Sequence, residues 1–249
     1  NQWSIDERAV LLYNSSIRMR ASGCDGGAKK EEPIVKLTRY LSAALALVLA
    51  LSLTACGADS PKFERGVVDG QTYTNDFLKL TCTVPAEFSY LTDAEMAEIN
   101  NIAADSLSDT DLAQQLQDNL ENGSQVQDMY AMTEGGLQTI NVMLSKVDAQ
   151  GAEVDMAAFA DLSMEQAKTA YQSMGMTDVE GSRETVTFMG QQYEGIRLTA
   201  TYDGNAPVYC VQVYMQEGDY VCVVTFTSYI EDTTADMMGY FSPLNAETK

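Results

Sequence analysis

Histidine is absent from this sequence, and tryptophan occurs once, at Trp3. Histidine is the usual general base at neutral pH and the commonest ligand of transition metals in proteins. Without it, neither a Ser-His-Asp nor a Cys-His catalytic centre can be built. The near absence of tryptophan also weakens the case for a surface on which sugar rings stack.

Cationic residues are scarce, with 15 lysines and arginines against 36 aspartates and glutamates. Seven of the cations and five of the acids fall in residues 1–55, so residues 56–249 carry 8 cations, 31 acids and a net charge of −23. Such a surface repels nucleic acid and anionic lipid headgroups. We therefore expect no nucleic-acid partner, and attachment to a membrane cannot depend on a basic face.

Cysteine is infrequent, and its spacing matches neither a zinc site nor a CxxC redox pair. Of the five cysteines, Cys24 and Cys56 precede the predicted domain, and Cys82, Cys210 and Cys222 lie in strand-like apolar segments. Because three is an odd number, at least one of these thiols has no partner within the chain. We expect three buried free thiols; a disulfide that includes Cys82 is the alternative, and the hairpin register disfavours a bridge between the other two.

The sequence also lacks an apolar run long enough for a spanning helix, which needs roughly 20 residues. The run at residues 40–53 has fourteen residues without a charge, and Lys36 and Arg39 precede it. A cationic start, an apolar middle and a small-residue exit are typical of an export signal. A buried core helix would explain neither the flanking cations nor the cysteine that follows.

The exit of that run, Leu53-Thr54-Ala55-Cys56, resembles a bacterial lipobox. In lipoproteins with this motif the peptide is cut before the cysteine, which carries the lipid. We therefore expect residues 35–55 to be a signal peptide with a signal helix, and Cys56 to carry acyl chains such as palmitate. The lipid bilayer would be the partner of Cys56, and the protein would be extracytoplasmic and anchored to the bacterial cell membrane.

Residues 1–34 fit this interpretation poorly, because export signals begin at the N-terminus. Lys30-Glu31-Glu32 can be encoded by AAGGAGGAG, which matches a ribosome-binding sequence, and Val35 follows after two further codons. Valine is encoded by GTG, a legitimate bacterial start codon. We expect translation to begin at Val35, with residues 1–34 a misassigned extension; a genuine disordered extension is the alternative.

After the signal, the sequence predicts a polar tether over residues 56–70, one domain over residues 71–241 and a tail over residues 242–249. A chain of this length can bury one hydrophobic core. As a flexible coil, the tether spans only ~20 Å. The domain is therefore expected to lie close to the membrane.

Helix and strand signals alternate along the domain. Thr92 and Glu95 form a capping box for one helix, Asp109 caps a second, and a third follows Asp155. Further predictions are a hairpin at Gly135-Gly136 whose second strand, residues 137–147, has one buried face; a four-strand antiparallel meander within residues 185–229; and a terminal helix over residues 231–241. This order predicts the α+β class, an antiparallel β-sheet with helices packed on its faces.

Two strand motifs carry a family resemblance. Tyr73-Thr74-Asn75-Asp76-Phe77 and the following Leu80-Thr81-Cys82-Thr83-Val84-Pro85 are similar to the opening of small lipoproteins of Gram-positive bacteria that adopt a PsbP-like fold. The chain departs from their pattern at Ala86-Glu87-Phe88, where Gly-Trp is usual. The resemblance implies a PsbP-like sandwich and offers no catalytic residue.

Acidic side chains are the remaining candidates for chemistry. Asp105, Asp109 and Asp111 lie close in sequence and offer oxygen ligands suited to Ca²⁺. They lack the central glycine and terminal glutamate of a calcium loop, so Asp109 is expected to cap a helix instead. No two of the many acids are marked as a glycosidase pair. We expect no metal, no cofactor and no catalytic residue.

Three classes of function remain for the domain. We favour a non-catalytic interaction domain at the cell surface, whose partner is an unidentified protein or small molecule. The alternative is a lipoprotein that captures a small ligand, for which a large apolar pocket with a few convergent polar groups would be typical. A hydrolase is the third class and would require perturbed carboxylates in a cleft.

Overall fold

The computed structural model describes residues 63–147 and 153–244. These residues form eleven strands and four α-helices. The strands are β1 (Val67–Asp69), β2 (Thr72–Asn75), β3 (Leu80–Thr83), β4 (Phe88–Tyr90), β5 (Gln125–Thr133), β6 (Gln138–Lys146), β7 (Thr177–Phe188), β8 (Gln191–Tyr202), β9 (Ala206–Glu217), β10 (Tyr220–Tyr229) and β11 (Phe241–Pro243). The helices are α1 (Asp93–Ser106), α2 (Thr110–Glu121), α3 (Met156–Ser173) and α4 (Thr234–Met238).

Seven strands form the larger sheet, in the order β4-β5-β6-β10-β9-β8-β7. Every neighbouring pair is antiparallel. The predicted meander is confirmed as β7 to β10, and its turns lie at the predicted glycines, where Gly190, Gly204 and Gly218 have φ of 77°, 77° and 56°. Glycine is favoured there because a Cβ atom disfavours positive φ. β7 starts at Thr177, earlier than predicted, because its first half pairs with the end of β8.

Four short strands form a second sheet, in the order β1-β2-β3-β11. β1 lies in the stretch predicted as tether, so regular structure begins before residue 70. β11 occupies the end of the predicted terminal helix, which is limited to α4. Both strands have only three residues, too few to show an alternating hydrophobic pattern. They are strands because they pair with neighbours: Val68 faces Tyr73 of β2, and Phe241 faces Cys82 of β3.

The two sheets pack face to face, and the three long helices cover the other face of the larger sheet. Between the sheets lies one core cluster, which includes Tyr73, Leu80, Phe88, Ile140, Val142, Val213, Phe226 and Phe241. On the opposite face, Ala160, Ala167 and Tyr171 of α3 pack against the meander. Leu116 of α2 packs with Tyr130 of β5 in a third cluster that also includes residues of α1. The molecule is thus layered as sheet, sheet and helices.

Both faces of β6 are buried, which corrects the prediction of a strand with one buried face. Ile140, Val142 and Leu144 belong to the core between the sheets. Asn141 and Ser145 point the other way and are also buried. The reason is that the second sheet covers one face of the strand, while the layer of helices lies on the other.

The helix caps follow the sequence predictions. Glu95 N donates to Thr92 Oγ1 at 3.3 Å, and Thr92 N donates to Glu95 Oε2 at 2.8 Å, which completes the capping box of α1. Asp109 accepts from two backbone N–H groups at the start of α2, and Asp155 does the same for α3. Such caps satisfy N–H groups that have no partner within the helix.

The α+β class with an antiparallel sheet and helices on its face is confirmed. The single sheet expected from the sequence is in fact two sheets. Within residues 63–147 and 153–244, no helix combines the length and apolar character needed to cross a membrane. The predicted signal helix lies outside the described residues.

Candidate functional site

A β-bulge in β5 turns Asp128 toward the smaller sheet. The pairing of β5 with β6 shifts by one residue between Gln127 and Met129, and a bulge commonly redirects the side chain at its centre. The Asp128 side chain is 0% exposed. Burial of a carboxylate is costly unless it is paired and hydrogen-bonded, so its partners determine what it can do.

Four residues donate hydrogen bonds to this carboxylate. Gly66 N lies 3.0 Å from Oδ2 and 3.2 Å from Oδ1, Asn75 Nδ2 lies 2.8 Å from Oδ2, and Arg65 Nε lies 3.3 Å from Oδ1. The Tyr73 hydroxyl also donates to Oδ2. Burial, together with the charge of Asp128, raises the pKa of Tyr73 well above its ordinary value, so this hydroxyl keeps its proton. Both oxygens of the carboxylate are thus engaged inside the fold.

Arg65 connects the buried carboxylate to the surface. Its Nη1 pairs with the exposed Asp93 at 2.9 Å, and its Nη2 donates to two backbone oxygens of the bulge at 3.1 and 3.4 Å. At the next residue the backbone approaches closely, because a Cβ on Gly66 would lie 2.3 Å from Tyr73 Cε2. Only glycine fits there. The segment before β1 is therefore fixed onto the bulge.

A cleft of about 440 Å³ opens above this cluster. Its volume lies within the range of small-molecule sites, and its apolar walls include Val68, Tyr90, Leu91 and Met96. Its charged groups are Arg65, Asp93 and Asp128, which are already paired with one another. An anionic ligand would have to break those pairs to reach the guanidinium, so the cleft is better suited to an uncharged or cationic group.

A row of polar side chains lies on the helix-covered face of the larger sheet. Asn141, Thr225 and Gln212 occupy neighbouring register positions on β6, β10 and β9, and all three are buried. Gln212 Oε1 accepts from the Tyr214 hydroxyl at 2.7 Å. Among the described residues, the side chains of Asn141 and Thr225 have no hydrogen-bond partner. An unsatisfied buried polar group costs about 1–3 kcal/mol, so this row suits ordered water or an uncharged polar ligand.

The three cysteines in the described part of the chain are free and buried, as predicted. In the β9–β10 hairpin, Cys210 faces Thr227 and Cys222 faces Met215, so the two thiols are offset along the sheet. Burial raises the pKa of Cys82 to about 12 and that of Cys210 to about 11, and it also raises the pKa of Cys222. Protonated, buried thiols are inert as nucleophiles.

The predicted lipidation residue Cys56 and its lipobox residues Leu53, Thr54 and Ala55 lie outside the described residues. The acidic candidates are described. Asp109 caps α2, Asp111 follows it in the first turn, and Asp105 lies near the end of α1. Across residues 63–147 and 153–244, no group of three His, Cys, Asp or Glu side chains is placed to hold a metal ion.

The sequence did not reveal Asp128 as a structural centre. Its signal was weak: a single acid within the nine residues of β5, most of whose positions are buried. The residues that bind it lie 53 to 63 positions earlier in the chain. Local spacing therefore could not predict the cluster.

No protein-family model matches the chain, and neither does any curated protein sequence. Two of the solved structures to which the chain is similar are the following. One is cyanobacterial PsbP (CyanoP) from Synechocystis sp. PCC 6803, with a TM-score of 0.41 and 11% identity over 77% of this chain and 98% of the other. The second is LpqN of Mycobacterium tuberculosis, a protein involved in cell envelope biogenesis, with a TM-score of 0.37 and 13% identity over 66% and 82% of the two chains. At these values neither likeness establishes a shared activity or partner.

Proposed function

We propose that this protein is a bacterial lipoprotein whose α+β domain is held at the extracytoplasmic face of the cell membrane by acylated Cys56 and serves as a non-catalytic interaction domain. The lipid anchor is supported by the sequence Leu53-Thr54-Ala55-Cys56. This motif ends a fourteen-residue uncharged run, and two cations precede that run. Charge placement, apolar length and cysteine position all agree with a lipoprotein signal. The similarity of the β2 and β3 motifs to small Gram-positive lipoproteins supports the same assignment.

The strength of the anchor follows from the number of acyl chains. Each buried methylene contributes about 0.8 kcal/mol, and a single chain binds a bilayer only marginally. The diacylglyceryl group usual for lipoproteins supplies two chains. Residues 56–249 carry a net charge of −23, so electrostatic attraction to anionic lipids does not add to this binding.

The domain's polar groups favour interaction over catalysis. Asp128, the buried carboxylate, has both oxygens bonded to the fold, and the Tyr73 hydroxyl that contacts it keeps its proton because its pKa is raised. The cleft above it presents pairs of opposite charge that are already formed. These groups maintain the shape of a surface, which supports an interaction role.

The anchor is tested by expressing the full chain in a Gram-positive bacterium together with Cys56→Ser and, as a matched control, Cys24→Ser. We expect the unaltered chain and the control in the membrane fraction, with a lipid mass on an N-terminal Cys56 peptide. The Cys56→Ser variant should lack that mass and retain residues 35–55. A mature N-terminus elsewhere, without lipid, would contradict the proposal.

Capture of a small uncharged ligand is the alternative, and the unsatisfied row at Asn141 and Thr225 favours it. Native mass spectrometry of the full chain, extracted from membranes under mild conditions, separates the two functions. A single noncovalent adduct of small, constant mass supports ligand capture. Ligand-free protein that forms a specific cross-link to one envelope protein in intact cells supports the interaction domain.

A further inference from the structure

The described chain begins at one end of the domain and is held there by aromatic contacts. The Phe63 ring centre lies 5.5 Å from that of Phe77 in the β2–β3 turn and 5.7 Å from that of Tyr220 at the start of β10. Phe77 and Tyr220 also contact each other, at 5.8 Å. Aromatic clusters of this kind add stability beyond the area they bury. Phe63 is therefore attached to the body of the domain.

A second attachment follows within three residues. Arg65 and Gly66 both donate to the buried Asp128, and no side chain larger than that of glycine fits at position 66. The predicted tether therefore ends at Phe63 rather than at residue 70. This leaves seven residues from Cys56 to Phe63, which reach at most about 25 Å when fully extended.

The domain is longer than this reach. We define the anchor end as the β2–β3 turn and the β9–β10 turn, which hold Phe77 and Tyr220, and the far end as the β8–β9 turn, Asp203-Gly204-Asn205. The twelve residues of β9 join the two ends, a length of about 40 Å at the rise of a strand. Since the tether attaches at the anchor end, the far end can touch the bilayer only if the domain lies on its side.

The charge distribution disfavours that pose. Only 8 cations occur in residues 56–249, and two of them, the exposed Lys79 and Lys146, lie at the anchor end. Acids lie there too: Asp76, Glu217 and the buried Asp219 in the two turns, and Glu153 and Asp155 on either side of Val154, whose N–H donates to Gln216. Lys79 Nζ pairs with Glu217 at 3.3 Å, so this end holds only a small part of the net charge of −23. The rest of the surface carries most of the negative charge and is repelled by anionic headgroups.

We propose that the domain stands end-on on the bilayer, with the anchor end against the lipid headgroups and the β8–β9 turn facing outward. The inference rests on the lipidation of Cys56 proposed above. It assigns the headgroup layer as the partner of the anchor end, and it leaves the far end as the part of the molecule that another envelope component meets first.

Energy transfer from tryptophan to a lipid probe tests the orientation, because residues 56–249 contain no tryptophan. In the full chain carrying Trp3→Phe, one variant has Asp76→Trp at the anchor end and a matched variant has Asn205→Trp at the far end; both positions are exposed turns. Each protein is reconstituted into phosphatidylcholine–phosphatidylglycerol vesicles that contain dansyl-phosphatidylethanolamine. We expect several-fold greater transfer from the Asp76→Trp variant, since transfer falls steeply with distance.

Equal transfer from both variants, or greater transfer from Asn205→Trp, would overturn the end-on orientation. Failure of the anchor gives a different result: the protein would not float with the vesicles and would carry no lipid mass. In that case Cys56 of the Cys24→Ser chain is coupled to a maleimide lipid, which leaves the three buried thiols unmodified, and the same comparison decides the orientation. Far-ultraviolet circular dichroism of each variant confirms that the fold is retained.

Discussion

At the scale of single residues, Asp109 accepts hydrogen bonds from its near neighbours in the chain, whereas Asp128 accepts them from residues more than fifty positions away. Asp109 was predicted as a helix cap because it accepts from residues two and three positions ahead. Asp128 was not predicted, because Tyr73 and Gly66 bind it from 55 and 62 positions away. The bulge that redirects Asp128 depends on pairing with β6, and no local pattern marks it. The Asp128 cluster therefore became visible only in the folded chain.

Replacing Asp128 with alanine should be strongly destabilising. The change removes the acceptor of the buried Tyr73 hydroxyl and of the Gly66 N–H, leaves the Asn75 amide with only its bond to the Tyr73 hydroxyl, and deprives Arg65 of its inner partner. Breaking a buried charged cluster in this way costs roughly 3–5 kcal/mol. Urea denaturation should show a lower midpoint with an unchanged slope.

Asp93→Ala is the matched control, because it removes the outer partner of the same Arg65. The Asp93 side chain is 76% exposed, and exposed ion pairs contribute about 0–1 kcal/mol. If the two variants lose similar stability, the buried cluster does not hold the segment before β1 as described.

At the scale of elements, turn and cap chemistry predicted most of the structure. The meander, the hairpin and the three long helices lie where glycine turns and capping residues placed them. β1 and β11 were missed because three residues show no alternation, and only pairing with β2 and β3 makes them strands. The prediction that β6 has one exposed face was wrong. Its polar residues Asn141 and Ser145 indicated a face in contact with solvent, but helices cover that side of the sheet.

Helix α1 should respond in opposite directions to changes at its two ends. Thr92→Ala removes the capping box and should lower the free energy of unfolding by about 1 kcal/mol. Asp105 lies in the last turn, where the helix has no basic residue, and a negative charge there opposes the helix dipole. Asp105→Lys should therefore raise stability by about 0.3–1 kcal/mol. Urea unfolding followed by circular dichroism measures both, and a shift of the same sign in both variants would contradict this account.

At the scale of the whole molecule, the α+β fold class could be predicted from the sequence, but the stacking of two sheets and a layer of helices could not. Periodicity and short connections indicate an antiparallel sheet with helices, but they do not show that β1, β2, β3 and β11 leave the larger sheet and cover it. Because the smaller sheet covers one face of the larger sheet and the helices cover the other, both faces of the larger sheet are buried. As a result, many ionisable side chains are buried, including all three cysteines of the described residues and several tyrosines.

That burial predicts a loss of stability at alkaline pH. A cysteine thiol ordinarily has a pKa of 9.0, whereas burial raises the pKa of Cys82 to about 12 and that of Cys210 to about 11, and the pKa of Cys222 is also raised. Above pH 9 the unfolded chain loses protons that the folded chain keeps, so stability is full below that pH and falls as pH rises. The loss is about 1.4 kcal/mol per pH unit for each thiol.

Urea titrations between pH 7 and pH 11 measure this slope. The variant with alanine at all three positions should show a flatter dependence between pH 9 and pH 10, where the thiols of the unfolded chain ionise. Above pH 10 both proteins should lose stability, because burial also raises the pKa of Tyr73, Tyr90, Tyr171 and Tyr214. The same slope in both proteins below pH 10 would show that the thiols are not the cause.

The position of β7 has a consequence for behaviour at high concentration. It forms one edge of the larger sheet, and a twelve-residue edge strand is a template onto which another chain can add. Its charged side chains, Asp178, Glu180, Arg183 and Glu184, and the register shift between Thr177 and Glu180 make such pairing unfavourable. The opposite edge, β4, has only three residues. The larger sheet is thereby protected at both of its edges against edge-to-edge aggregation.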